Sequence, residues 1–379
     1  MQGPVITAAF SVPSGVDDGL SKYGDQDMQR SHHVVAPDRS IDHSTLIPGV
    51  TDTPRSLTSE QEKCLSAEAH QWLKQAIAQR RQGNITAALA DFQQSLQAYR
   101  TLNDTASEAK VLSTIAHLYY GIADYLWAVD YARQGLTLAR QLADTSLTQQ
   151  TLNCLGNSYR HLGDLDKALT CLEQSLTLAQ HTQDAEAEMR ALNNLALIYR
   201  TRHQTEKAVA LYEQSLTIAE RLGDQQIEEQ ILRNLGNTYH ALGDPHKTID
   251  YYDRLLQRSR EGMDLQVISK ILRNLNSACY MLGDYSRAVV YLQERLTLAR
   301  RLRDRRTELQ VLESLAIAYD ALGETAKALQ SREEHFKMAL NLGDFQLQRQ
   351  SLLSLKQACL SQGDFERVQR YISYLTDSM

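Results

Sequence analysis

Proline is nearly absent from most of this chain. Five of the six, Pro4, Pro13, Pro37, Pro48 and Pro54, fall in the first 54 residues, and Pro245 stands alone after them. Pro245 follows Asp244 in the first turn of an expected helix, where the missing N–H costs little, so it marks no domain break. The five cysteines are an odd number, and Cys154, Cys171, Cys279 and Cys359 fall on expected helices among packing residues. That speaks against a disulfide framework and suits a reducing cytoplasm. No stretch approaches the roughly twenty apolar residues that a transmembrane helix needs. The apolar start, Pro4 to Val12, has no basic residue before it, so a secretory signal is not expected either. A formal charge of -6 sets aside general nucleic-acid binding. The patterns His-Glu-x-x-His, Gly-x-x-x-x-Gly-Lys-Ser/Thr, Gly-x-Ser-x-Gly and paired Cys-x-x-Cys are all missing, so no catalytic residue, metal or cofactor is expected.

What is present is a period. Blocks of forty residues starting at Gln71 align through seven full copies and a truncated eighth to the last residue, without insertion or deletion. Such self-similarity marks stacked supersecondary units. The second position of the blocks reads Trp72, Leu112, Leu152, Leu192, Leu232, Leu272, Leu312 and Leu352, and the ninth is tyrosine at 119, 159, 199, 239 and 319. Apolar or small residues at positions 2, 5, 6 and 9 lie on one stripe of a helix. That helix stops at Leu-Gly-Asp, as at Leu162 to Asp164, where glycine suits a left-handed C-terminal turn and aspartate caps the next helix. A second helix follows, with Ala128, Ala168, Ala208, Ala288 and Ala328 as its recurring small contact. Near its end Asp104, Asp144, Asp184, Asp224, Asp264, Asp304 and Asp344 recur, placed to cap the first helix of the next block.

The pattern Leu-x-x-Leu-Gly-x-x-Tyr-x-x-Leu-Gly-Asp-x-x-x-Ala, at Leu152 to Ala168 and, with a final Thr, at Leu232 to Thr248, resembles the tetratricopeptide repeat. The forty-residue length is similar to that of Pins-type adaptors, kinesin light chains and many bacterial repeat proteins. The resemblance covers about Ser59 to Met379. It implies an all-α fold, a right-handed superhelical solenoid of about eight antiparallel helix pairs, with repeats starting near 71, 111, 151, 191, 231, 271, 311 and 351. It also implies that first helices line a concave groove, and that the protein binds other proteins.

The informative residues are those that the core does not require. Positions 40, 3, 7 and 10, with 4 at the edge, follow a helical stripe offset from the buried one. It reads Asn153, Asn157 and Arg160 in the third block and Arg190, Asn193, Asn194 and Arg200 in the fourth. The fifth gives Arg233, Asn234, Asn237 and His240, and the sixth Lys270, Arg273 and Asn274, followed by Tyr280. Asparagine is a mediocre helix former, so its repeated use calls for a reason. Its amide offers donor and acceptor to a ligand backbone, and arginine adds bidentate recognition of carboxylates. These residues are expected to form a partner-binding groove for an acidic protein or peptide segment, extended or helical. At the seventh block the stripe turns to Glu313, Ile317 and Asp320. A regulatory sensor answering to a peptide or small ligand is the alternative reading.

Residues 1–57 are expected to be a disordered acidic tail, and order to begin at Ser59-Glu60-Gln61-Glu62, which has capping-box spacing. The arginine run from Arg300 to Arg306 is expected to be a solvated turn. The last helix carries Val368, Tyr371, Ile372, Tyr374 and Leu375, an apolar set through which self-association is expected.

Overall fold

The computed structural model describes residues 58–262 and 264–376, with side chains as far as residue 371. The tail expected over residues 1–57 lies outside the described residues. Among those described there are sixteen helices and no strand, and the fold is an all-α repeat solenoid. Contacts divide the chain into two compact units, residues 1–191 and 192–379. The first holds α1 (Ser59–Arg81), α2 (Ile85–Thr101), α3 (Thr105–Gly121), α4 (Tyr125–Gln141), α5 (Thr145–His161) and α6 (Leu165–Thr182). Helix α7 (Ala185–Thr201) contains the boundary. The second unit holds α8 (Thr205–Leu222), α9 (Gln225–Leu242), α10 (Pro245–Gly262), α11 (Leu265–Leu282), α12 (Tyr285–Leu302), α13 (Arg305–Ala321), α14 (Thr325–Leu342), α15 (Phe345–Ser361) and α16 (Phe365–Thr376).

The helices begin and end where the sequence punctuates them. Every recurring aspartate accepts a backbone N–H in the first turn: Asp104 from Ser107 at 3.0 Å, Asp144 from Leu147 at 2.9 Å, Asp184 from Ala187 at 3.0 Å, Asp224 from Ile227 at 3.1 Å and Asp304 from Thr307 at 3.1 Å. Asp264 and Asp344 each take two. Because the cap stands seven residues before each block boundary, the first helices start ahead of the blocks. Helix α1 begins one residue earlier than expected: Thr58, not Ser59, forms the capping box, with Gln61 as its reciprocal partner. The spacing is the same for both pairs, and the earlier cap adds Ser59 to the helix. Glycines 163, 243, 283 and 323 close turns at φ between 70° and 82°. Asn103, Ala123, Ala143, Gln183, His203 and Arg303 take the same left-handed conformation without being glycine.

The apolar columns are the core. Leu112, Leu232 and Leu272 are fully buried, as are Ala128, Ala168, Ala208, Ala288 and Ala328, where helices approach too closely for a larger side chain. Cys154, Cys279 and Cys359 are buried free thiols. Burial pushes the Cys154 thiol up to about 12 and Cys279 up to about 11, as befits packing residues.

Two polar ladders, invisible along any single helix, tie second helices together. Tyr251 donates to Glu213 at 3.0 Å, Tyr291 to Asp253 at 2.7 Å and Tyr371 to Glu333 at 2.5 Å, each across 38 residues. Arg260 donates to Glu294 at 2.8 Å and Arg300 to Glu334 at 2.7 Å, each across 34. Arg300 also donates to Glu308 at 2.8 Å, so it is a brace between helices; the run that contains it is not simply a solvated turn. A lysine eight residues after the column tyrosine lies over its ring in several repeats, nearest at Lys247 on Tyr239, 4.6 Å from the centroid.

Candidate partner-binding face

First helices of successive repeats are neighbours, and that is what brings the stripe residues together within each unit. In the first unit α3 touches α5, and Thr151 donates to Ser113 across that contact at 3.3 Å. In the second, Tyr280 of α11 donates to the Ser314 carbonyl of α13 at 2.6 Å, which makes Tyr280 an inter-repeat strut.

In the first unit Asn153 and Asn157 are half-buried, and the Asn153 Oδ1 is buried without a hydrogen-bond partner. Arg160 lies 2.8 Å from His161, whose ring stacks on Tyr125 with 4.2 Å between centroids. Arg190 is exposed, but it folds back on Glu186 one turn earlier in its own helix. An acid off the stripe therefore neutralises a base on it.

The second unit carries the rest of the stripe, and here the asparagines divide into two sorts. Asn193 and Asn234 are only 5% and 4% exposed, and the Asn234 amide donates to Asn193 Oδ1 at 3.3 Å, joining α7 to α9. Tyr252, from α10, is the centre of a second link: its hydroxyl donates to Asn237 Oδ1 at 2.6 Å and accepts from the Asn274 amide at 2.8 Å, joining α9 to α11. Room for its ring is made by Gly236, where a Cβ would stand 3.0 Å from the ring carbons. Four of the asparagines expected to grip a ligand are thus engaged between repeats, while Asn194 remains half-buried on the face.

The cations form the outer layer. Lys270 and Arg273 are exposed, and Arg200 and Arg233 half-buried. Burial pushes the Tyr252 phenol up to about 12; the Asn274 hydrogen bond opposes this, as do the positive charges of Arg233, Arg273 and Arg200. The charges of three arginines, from α7, α9 and α11, therefore act on one hydroxyl. Glu229, one turn before Arg233, lies in that arginine's field, yet burial holds its carboxyl above the ordinary carboxylate range. His240 approaches Ser277 at 3.4 Å, and burial lowers its pKa, so it adds little positive charge at neutral pH. In the seventh repeat Asp320 pairs with Arg332, leaving Glu313 and Ile317 exposed. Val368 and Tyr371 of the last helix pack inward, with Phe336 among their neighbours. The side chains of Ile372, Tyr374 and Leu375 lie outside the described residues.

The sequence reading missed Tyr252 because it sits on a second helix, off the stripe. The signal lay in Gly236: glycine inside a helix, where Ala116, Ala196 and Ala316 stand in other copies, implies a bulky neighbour. Among the described residues no group of three or more His, Cys, Asp or Glu converges to hold a metal, and no helix is long and apolar enough to cross a membrane.

Comparison with known proteins gives one family. Residues 147–221 and 228–301 match the tetratricopeptide repeat, and residues 72–101 match it again through a second form of the same repeat. No curated protein matches the chain. Among solved structures, the apo form of RapI is similar at TM-score 0.54 and 12% identity, over 76% of this chain and 99% of that one. Aspartyl phosphate phosphatase F from Bacillus subtilis is similar at 0.53 and 15%, over 73% and 71%. A signal transduction ATPase with a tetratricopeptide repeat sensor from Pyrococcus horikoshii is similar at 0.53 and 18%, over 76% of this chain and 44% of that one. At these identities the likeness is one of fold.

Proposed function

The chain is a tetratricopeptide repeat protein, and on that footing we propose that it is a protein-interaction adaptor or scaffold. Its second unit, residues 192–379, holds an acidic segment of a partner, extended or helical, against the first-helix stripe. In this reading residues 58–379 form the repeat array, residues 1–57 a tail, and the protein acts in the cytoplasm without catalysis.

One observation carries the proposal: the positive charges of Arg200, Arg233 and Arg273, from three successive first helices, all act on the Tyr252 hydroxyl. A guanidinium fork suits a carboxylate, and this stretch of the face carries three. Arg200, Arg233, Lys270 and Arg273 supply the charge-assisted donors, and Asn194 offers donor and acceptor to a ligand backbone. Asn193, Asn234, Asn237 and Asn274 serve the same face from behind, by fixing how far apart its helices stand.

The test is capture of partners from native lysate by the wild type and by a variant with Asn194, Arg233 and Arg273 changed to Ala. The variant should keep its helical content and lose the captured protein; equal capture by a folded variant rejects the groove. A peptide-responsive sensor would use the same face; the repeats of the Pyrococcus protein are described as a sensor. Small-angle scattering with and without a captured acidic peptide separates the two, since only a sensor changes shape.

A further inference from the structure

Forty residues separate equivalent positions, so the residues that line a cavity in one repeat have counterparts in the repeat before. In the seventh repeat a cavity of about 240 Å³ is lined by Glu313, Ala316, Arg332, His335 and Ser354, among others. Their counterparts in the sixth repeat are Arg273, Asn276, Leu292, Arg295 and Ser314. There the place of His335 is taken by Arg295, only 8% exposed, with its Nε buried and unpaired. The Asn276 Oδ1 is likewise buried without a hydrogen-bond partner. Arg273 is exposed, and neither it nor Arg295 has an ion-pair partner among the described residues.

The fold does not ask for this. At the same position the other repeats carry Ser95, Gly135, Ser175, Ser215 and Leu255, and Leu255 is fully buried. A buried guanidinium with no acceptor is strongly unfavourable, and an apolar residue of similar volume would serve the packing better. The local field agrees: burial first, and then the charge of Arg273, push the Arg295 guanidinium down to about 10, against a weaker opposing pull from Asp304. The site has an excess of positive charge and one buried donor, the Arg295 Nε, left unused; the Asn276 Oδ1 is an acceptor and takes no part in holding an anion.

We infer that Arg295 and Arg273 form an anion niche in the sixth repeat that takes one carboxylate of the bound segment and so fixes its register along the face. The inference rests on the proposed binding of an acidic segment. A carboxylate entering between the two guanidiniums would accept from both. The carboxylate belongs either to an acidic side chain or to a chain terminus.

Two acetylated, fluorescently labelled peptides distinguish these sources in an anisotropy titration: hexaglutamate with an amidated C-terminus, and a Ser-Gln hexapeptide with a free one. Arg295→Leu should weaken at least one of them roughly tenfold or more, the size of one charge-assisted contact, while raising the melting temperature. Loss confined to hexaglutamate names a side chain, and loss confined to the free acid names the terminus. Arg273→Gln, at an exposed position, examines the niche without disturbing the core and should weaken the same peptide several-fold. If wild type binds neither peptide, the niche falls together with the acidic-segment reading. If wild type binds and both variants match it, the niche alone is wrong. An Arg295→Leu protein that loses stability along with affinity also overturns the niche, because the arginine is then structural.

Discussion

Tyr252→Phe removes one oxygen from the second unit and leaves its packing intact. The ring is 1% exposed, and its hydroxyl is the only atom joining Asn237 of α9 to Asn274 of α11 in this link, at 2.6 and 2.8 Å. Each neutral hydrogen bond contributes about 1 kcal/mol net, and each partner left unpaired in a buried place adds to the loss. Both asparagines are half-buried, so water recovers part of it, and the expected cost is about 2 kcal/mol. Repeat arrays need not unfold in one step, which makes a single global midpoint a poor reporter. Native-state hydrogen exchange reads the effect where it occurs: protection in α9, α10 and α11 should fall by roughly thirtyfold, with repeats seven and eight changing much less. Combining the change with Asn274→Ala should cost less than the sum of the two, because both remove the same bond. A fall of less than threefold, or one spread evenly over the unit, would refute the claim that these asparagines are tied between repeats.

Gly156→Ala places a Cβ 2.5 Å from Leu172 Cγ; the helix gains about 1 kcal/mol of propensity but overpacking costs about 1–3, so a urea midpoint should fall, and a rise would be contrary. Ala143→Gly and Arg303→Gly relieve left-handed backbone at φ 49° and 55°, and each should gain about 0.5–1 kcal/mol in thermal melting once the freer unfolded chain is counted. Of the five thiols, exposed Cys64 should react quickly with an aromatic disulfide reagent and the buried Cys154 and Cys279 only after denaturation; rapid release of three or more equivalents from folded protein would contradict their burial. Burial lowers the pKa of His117, His240 and His335. The unfolded chain therefore binds more protons below its histidine pKa of about 6.5, and stability should be intact above that pH and fall as acid is added. His240→Gln should flatten part of that slope in melts between pH 7.5 and 5.

Features that repeat were legible in the sequence, and features that connect repeats were not. The aspartate caps, turn glycines and alanine contacts each act within one hairpin or one turn, so the same residue recurs every forty positions and announces its role. The Tyr251–Glu213 and Arg260–Glu294 contacts join different columns of different blocks, and their members vary: where Arg260 faces Glu294, Glu220 faces Arg254 with the signs exchanged. A column read alone shows only variation there. The stripe was legible as a stripe, but its chemistry was split by depth. Asn193 and Asn194 are adjacent, yet the first is buried in a contact with Asn234 and the second is on the face. One helical step of about 100° separates a strut from a ligand contact, finer than a stripe drawn on an ideal helix resolves.

That division bears on how the face recognises anything. Arginine and lysine lose considerable rotamer freedom when they bind, and a face of free side chains on mobile helices would lose more. Here the helices that carry Arg200, Arg233 and Arg273 are held to one another by Asn193–Asn234 and by Asn237–Tyr252–Asn274. The spacing of the charges is therefore set before a partner arrives, and binding has to order the cationic side chains but not the backbone. A partner whose carboxylates match that spacing retains more of its contact energy than one of equal charge whose carboxylates do not. If the face binds acidic segments as proposed, selectivity among them would come from the asparagine struts, which set the spacing, as much as from the arginines.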